Sequence, residues 1–314
     1  MIKVTVTLVL FLLVMGIGHA QDAKDTQYNA EEISITNLID GTLLVPSSAE
    51  KPTLAIIIQG SGPTDRDGNQ RMMKNNSLKY LAEALYTEGV ASFRFDKRIV
   101  RMLRKGTFNE KGIRFDDFVD DAIAVVDYFK KEDAYSKIYV IGHSQGSLIG
   151  MVAAQGKADG FISLAGAGQE IDDVIVDQLA LQAPGLKDDA RSAFDDMRVN
   201  GVAQKYSPGL ASIFRPEIQP FMLTWMQFDP QVELAKLTIP VLIVNGGKDL
   251  QVQVSEAELL KSVKPDASYT IIESMNHILK DIEGGDMENS KSYNQPGRPI
   301  SPALMEAVIA FIKS

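Results

Sequence analysis

The chain has 314 residues, 45% apolar and 23% charged, with no cysteine, three histidines and a formal net charge of −9. These fractions exclude a disordered chain, a disulfide scaffold and any cysteine-based metal or thiol site. The acidic balance leaves no electrostatic footprint for nucleic acid, and the length accommodates one large α/β domain or two smaller ones.

Residues 1–20 have the layout of a secretory signal peptide. Lys3 precedes an apolar run from Val4 to Ile17, and Gly18-His19-Ala20 places small residues at −3 and −1. The run is shorter than the roughly 20 residues of a membrane span. Cleavage before Gln21 is therefore expected, giving an exported protein, periplasmic or extracellular, with no stable membrane insertion. Cleavage removes His19 and leaves His143 and His277 as the histidines of the mature chain.

Residues 33–45 predict a hairpin turning at Asp40-Gly41. The run 54–58 (LAIII) has the pattern of a strand buried on both faces, and it enters the polar, glycine-rich loop 59–68. Leu78, Leu81, Ala82 and Leu85 share one helical face, with Gly89 as the stop. Further strands are predicted at 90–95, 138–141, 161–165, 240–244 and 268–272. Helices are predicted at 115–130, at 146–154 and, opened by Ser301-Pro302, to Ile312. Such alternation implies an α/β fold, a mostly parallel sheet with helices on both faces. Residues 169–237 show helical periodicity without a strand and read as a helical cap insertion over one end of the sheet. The expected division is a core of 21–168 and 238–314 interrupted by that cap. The polar segment 283–299, with Gly284-Gly285 and Pro296-Gly297, is expected to be a mobile loop.

Gly142-His143-Ser144-Gln145-Gly146 matches G-x-S-x-G between a predicted strand and a predicted helix. A serine on that sharp turn projects its hydroxyl above the sheet, and the N–H of Gln145, at a helix N-terminus, faces the position of an oxyanion. A serine hydroxyl needs a base. His143 adjoins the serine, and its side chain is expected to point away from it. His277, in the loop after the last predicted strand, is the remaining candidate. Asp249, in the turn after strand 240–244, can accept from the other imidazole nitrogen, although a turn aspartate often bonds only its own backbone. The order Ser144, Asp249, His277 is that of α/β-hydrolases.

The chain resembles α/β-hydrolases over nearly all of its mature length. Within them it is similar to bacterial carboxylesterases with a G-S-G-P-x-D-R-D loop. The matching segments are Gly60-Ser61-Gly62-Pro63-Thr64-Asp65-Arg66-Asp67, Arg94-Phe95-Asp96-Lys97-Arg98, the serine pentapeptide, and Asn245-Gly246-Gly247-Lys248-Asp249-Leu250-Gln251-Val252. The resemblance implies Ser144, Asp249 and His277 as a catalytic triad, and the backbone N–H groups of Ser61 and Gln145 as the oxyanion hole. Gln59-Gly60 stands where many relatives have His-Gly. Arg66 with Asp65 and Asp67 is expected to brace the loop, together with Asp96 and Arg98, and Asp65–Asn76 does not fit a calcium loop.

Trp225, Met226 and Phe228, late in the insertion, are candidates for an acyl pocket, with simple cap packing as the alternative. Asn75-Asn76-Ser77 fits a glycosylation acceptor by pattern alone. The expected activity is hydrolysis of small carboxylic esters through an acyl-enzyme, without cofactor, metal or nucleic-acid partner. A peptidase or acyltransferase using the same triad, or a non-catalytic ligand-binding protein, are the alternatives.

Overall fold

The computed structural model describes residues 28–47 and 50–314, so the expected signal segment lies outside the described residues. In chain order the elements open with β1 (Ala30–Ser34), β2 (Asp40–Leu44), β3 (Leu54–Ile58), α1 (Ser77–Thr87), β4 (Ala91–Phe95), α2 (Arg98–Lys105) and α3 (Asp116–Glu132). They continue with β5 (Ile138–His143), α4 (Gln145–Ala154), β6 (Gly160–Leu164), α5 (Ile171–Gln182), α6 (Lys187–Asn200), α7 (Ala211–Phe214), α8 (Gln219–Trp225) and α9 (Pro230–Ala235). The last are β7 (Val241–Gly246), α10 (Val254–Val263), β8 (Ser268–Ile272), α11 (Asp286–Ser292) and α12 (Pro302–Ile312). The strands form one eight-stranded sheet in the order β1-β2-β4-β3-β5-β6-β7-β8. β2 pairs antiparallel with both β1 and β4, and every other pairing is parallel.

Continuous apolar runs become strands here because both faces of the sheet are covered. Alternation along β3 shows it: Leu54, Ile56 and Ile58 join the cluster with Phe129 of α3, Met151 of α4 and Leu260 of α10. Ala55 and Ile57 join the opposite cluster with Leu81 and Leu85 of α1 and Leu304 and Val308 of α12. Leu78, Leu81 and Leu85 are essentially unexposed, and burial of each contributes about 1.5–3 kcal/mol.

Helices α5 to α9 all lie between β6 and β7; α5 to α8 carry a separate core that includes Phe194, Phe214, Met197 and Met222, whereas Leu234 of α9 joins the main core. Two sequence expectations are corrected. The first hairpin turns at 35–39, since Ser34 pairs with Asp40 and Ile33 with Gly41 inside the ladder. Gly41 serves close packing instead: a Cβ there would stand 2.2 Å from the Phe93 ring. The segment 283–299 is not a bare loop, because it contains α11 and buries Asn289 and Ser292. Among the described residues no helix is long and apolar enough to cross a membrane.

Candidate active site

The groups singled out from the sequence gather at the carboxyl ends of the parallel strands, where α/β sheets place their ligands. β5 ends at His143, and Ser144 follows with φ 55° and ψ −123°, a left-handed-side conformation rarely adopted by a residue with a Cβ. The flanking glycines make the turn possible. A Cβ on Gly142 would lie 2.2 Å from the Gly146 carbonyl oxygen, and one on Gly146 would lie 2.3 Å from that of Ile58.

Asp249 and His277 come from neighbouring strand ends. Gly246 closes the gap between the two loops, its missing Cβ leaving room for the Met275 carbonyl, and Lys248 N–H donates to that carbonyl at 2.9 Å. Asp249 Oδ1 accepts the N–H groups of Gln251 (2.7 Å) and Val252 (2.9 Å). Its Oδ2 lies 2.8 Å from His277 Nδ1. A carboxylate only accepts, so Nδ1 carries the proton, and the lone pair of Nε2 faces the Ser144 hydroxyl at 3.0 Å. The structure thus brings Ser144, His277 and Asp249 into one hydrogen-bonded series, with both partners of the inner pair almost wholly buried.

Ser61, in the loop after β3, and Gln145, first residue of α4, flank Ser144. Among the described residues neither backbone N–H has an acceptor in the protein. Gly60 brings that loop close, since a Cβ there would lie 3.2 Å from the Ser144 Cβ. The loop is braced from β1 and β4. Arg66 donates to Asp96 from its backbone N–H (2.9 Å) and Nη2 (3.0 Å), and also pairs with Glu32. Asp67 takes Arg94 Nε at 3.0 Å, and Asp65 accepts the N–H groups of Asp67 and Asn69. Arg98 does not join this brace: it pairs with Asp117 and Asp121 and ties α2 to α3.

Two side chains were not given these roles by the sequence. His143 is buried, and its Nε2–H donates to the His277 carbonyl at 2.7 Å, steadying the loop that carries the second imidazole. Burial, reinforced by the neighbouring His277, lowers the His143 pKa to about 4, so it stays neutral. Lys97, at the end of β4, is buried beside α4, and its Nζ donates to Gln145 Oε1 at 2.5 Å and lies 4.8 Å from the Phe118 ring centroid. Burial lowers its pKa to about 7. Their signals in sequence were only adjacency to Ser144 and to Asp96.

Two cavities meet at Ser144 and His277. One, of about 240 Å³, has an apolar wall of Leu148, Val174, Ile175 and Trp225. The other, of about 280 Å³, is lined mainly by uncharged polar side chains. Of the three candidate pocket residues, Trp225 borders the apolar cavity and stacks on Phe115 (ring centroids 5.4 Å apart). Met226 packs instead in the core of the cap, and Phe228 packs against Phe115 (5.1 Å). Asn75 is wholly buried, which closes it to glycosylation in the folded chain.

A family model described as serine aminopeptidase S33 (Hydrolase_4) matches residues 74–281. Esterase EstD of Thermotoga maritima is 28% identical over 272 residues, which cover 81% of this chain and 61% of that protein; the chain spans less than two thirds of that relative. Est1E from Butyrivibrio proteoclasticus, solved with ferulic acid bound, is similar with a TM-score of 0.59 at 22% identity, covering 91% of this chain and 100% of that one. The acylaminoacyl peptidase of Pyrococcus horikoshii is similar with a TM-score of 0.53 at 14% identity, covering 90% of this chain and 41% of that one.

Proposed function

The chain belongs to the Hydrolase_4 family and has the α/β-hydrolase fold, and from that premise we propose that it hydrolyses carboxylic esters of small molecules through an acyl-enzyme. The observation that carries the reading is the series Ser144–His277–Asp249 at 3.0 and 2.8 Å beside two unengaged backbone amides. In this reading Ser144 Oγ attacks the carbonyl carbon while His277 Nε2 takes its proton. The N–H groups of Ser61 and Gln145 stabilise the oxyanion, each lowering the barrier by about 3 kcal/mol. Collapse expels the alcohol, which receives the proton from His277, and water then cleaves the acyl-enzyme through the same groups. The loop 60–67 belongs, on this reading, to the G-S-G-P-x-D-R-D type of carboxylesterase. The signal-like residues 1–20 support export to the periplasm or beyond, and the N-terminus of the mature protein then reads Gln21.

A second reading, cleavage of aminoacyl amides, is favoured by the family's description as serine aminopeptidase. A free α-ammonium needs a counter-charge, and the walls of the two cavities at Ser144 include no aspartate or glutamate among the described residues. An uncharged ester fits those walls better. The test pairs a fluorophosphonate probe, with mass-spectrometric mapping of the labelled residue, with turnover of a short p-nitrophenyl ester and an aminoacyl p-nitroanilide. Label on Ser144 and ester turnover at least 100-fold above amide turnover are expected. Absence of label, or the reverse preference, overturns the proposal.

A further inference from the structure

We propose that the 280 Å³ polar cavity is the site of the alcohol half of the ester, and that it selects an uncharged polyhydroxy alcohol, such as glycerol or a sugar. This rests on the ester-hydrolase reading and adds the class of substrate to it.

Position comes first. The polar cavity is bounded by Ser144 and by both imidazoles, His143 and His277. When the tetrahedral intermediate collapses, the bond from the acyl carbon to the alkoxy oxygen breaks and its electron pair stays on that oxygen. The oxygen is then protonated by His277 Nε2, with the proton taken earlier from Ser144 Oγ. The leaving oxygen must therefore sit beside His277, where both cavities open, and the alcohol it carries falls to the polar one because the other offers an apolar wall suited to an acyl chain. The acyl portion is left the other cavity, with its wall of Leu148, Val174, Ile175 and Trp225.

The chemistry of the walls sets the class. The polar side chains are Thr64, Gln70, Asn75, Ser77, Gln251 and Tyr293, all uncharged, and no lysine, arginine or carboxylate joins them among the described residues. His143 adds no charge, because burial keeps it neutral. A charged alcohol would be desolvated here without a partner. An alkyl alcohol would leave wall groups unpaired. A hydroxyl both donates and accepts, and this wall offers both. Gln251 Nε2 donates to the Tyr293 hydroxyl at 2.8 Å, which leaves the phenol proton and Gln251 Oε1 uncommitted. Burial raises the Tyr293 pKa to about 12, so the phenol keeps that proton. Gln70 uses its Nε2 on Thr64 Oγ1 and the Ser61 carbonyl, leaving Oε1 unengaged.

The experiment measures kcat/KM for butanoyl esters that differ only in alcohol: ethanol, glycerol, glucose, choline and glycolate. Wild-type enzyme is expected to favour the glycerol or the glucose ester at least tenfold over ethyl butanoate, and to cleave the choline and glycolate esters more slowly than the ethyl ester. The glycerol and glucose arms identify which polyol the cavity suits. Gln70→Ala and Tyr293→Phe are expected to bring the polyol-to-ethyl ratio within threefold of unity; the ratio cancels any general loss of active enzyme. A wild-type ratio near unity, or a preference that survives both substitutions, overturns the proposal while leaving ester hydrolysis intact. If wild type cleaves none of the five and Ser144 takes no fluorophosphonate label, the parent reading fails and this one falls with it.

Discussion

On the proposed reading the Ser144 hydroxyl, the His277 imidazole and the Asp249 carboxylate act as a unit, and loss of the serine or the histidine removes nearly the whole effect. Ser144→Ala is expected to lower kcat for p-nitrophenyl acetate by about 10⁴-fold or more. A variant retaining a tenth of wild-type turnover would exclude Ser144 as nucleophile. His143 has a different task, since its Nε2–H holds the His277 backbone carbonyl and not a reacting atom. A net hydrogen bond of this kind is worth about 1 kcal/mol. His143→Leu is therefore expected to reduce kcat roughly five- to tenfold, with KM changing less than twofold. With its pKa near 4, His143 remains neutral above pH 5, so the substitution should leave the shape of the kcat–pH profile unchanged from pH 5.5 to 9. A new or missing inflection in that range would show that His143 titrates during turnover. The chain order of Ser144, Asp249 and His277 made them legible in the sequence. The grip of His143 on residue 277 was not, because it is a side chain-to-backbone contact across 134 positions.

Among the elements, those buried on both sides were the readable ones. β3, β5, β6 and β7 announce themselves as apolar runs because helices cover both faces of the sheet. α2 has no fully buried residue; Ile99 and Met102 pack half-buried against the core, and ion pairs of Arg98, Arg101 and Arg104 with Asp117, Asp121, Asp40 and Asp96 fix its polar side. No local periodicity records partners so far away. α11 is polar apart from the exposed Met287, and it is fixed by hydrogen bonds from Asn276 Nδ2 to Asn289 and Ser292, both at 2.9 Å. The contact of β4 with α4 through Lys97 is of the same hidden kind, and it has a cost. The Lys97 ammonium is buried, with Gln145 Oε1 and the Phe118 ring for company and no carboxylate within reach among the described residues. Its folded pKa, about 7, lies below the ordinary 10.5, so between those values the unfolded chain binds more protons and stability rises with pH. The penalty is fully present below about pH 7 and disappears as pH approaches 10.5. Lys97→Met is expected to unfold at higher urea than wild type at pH 6, with the gap closing by pH 10. A gap of constant size across that range would contradict a buried, charged Lys97.

For the whole molecule the question is how the separately cored insertion between β6 and β7, expected from the sequence to be a cap, is held in place, since α5 supplies one wall of the apolar cavity through Ile171, Val174 and Ile175. The entry to the cap is pinned by Glu256 of α10, which accepts the N–H groups of Gly168 (2.8 Å) and Gln169 (3.0 Å). The exit is pinned by Leu234 and Leu237, which pack into the core cluster beneath. Between them, α5 is locked to α6 by Asp172, whose side chain is 1% exposed and accepts Arg191 Nη2 at 2.7 Å and Arg198 Nη2 at 2.6 Å. Burial pushes the Asp172 carboxyl up, but the hydrogen bonds from Arg198 and Arg191 outweigh it and hold the pKa below the ordinary 3.8. A lowered folded pKa means that the tether is complete above the usual carboxylate range and is lost only as pH falls through the folded value. Both arginines keep partial contact with water, so Asp172→Asn removes charge-assisted hydrogen bonds without stranding a buried cation, and about 2 kcal/mol of cap stability is expected to go. The loss should fall on the apolar cavity wall, which the proposed reading gives to the acyl chain, and not on Ser144, Asp249 and His277, which stand on the core. KM for p-nitrophenyl octanoate is expected to rise at least fivefold, while kcat/KM for the acetate stays within twofold of wild type. In the wild type, KM for the octanoate should remain flat from pH 7 down to pH 5, because Asp172 keeps its charge throughout. Equal losses on the two esters would place the Asp172 effect in the core beneath the triad, and a wild-type KM that rises by pH 5 would place the tether's titration too high for this carboxylate.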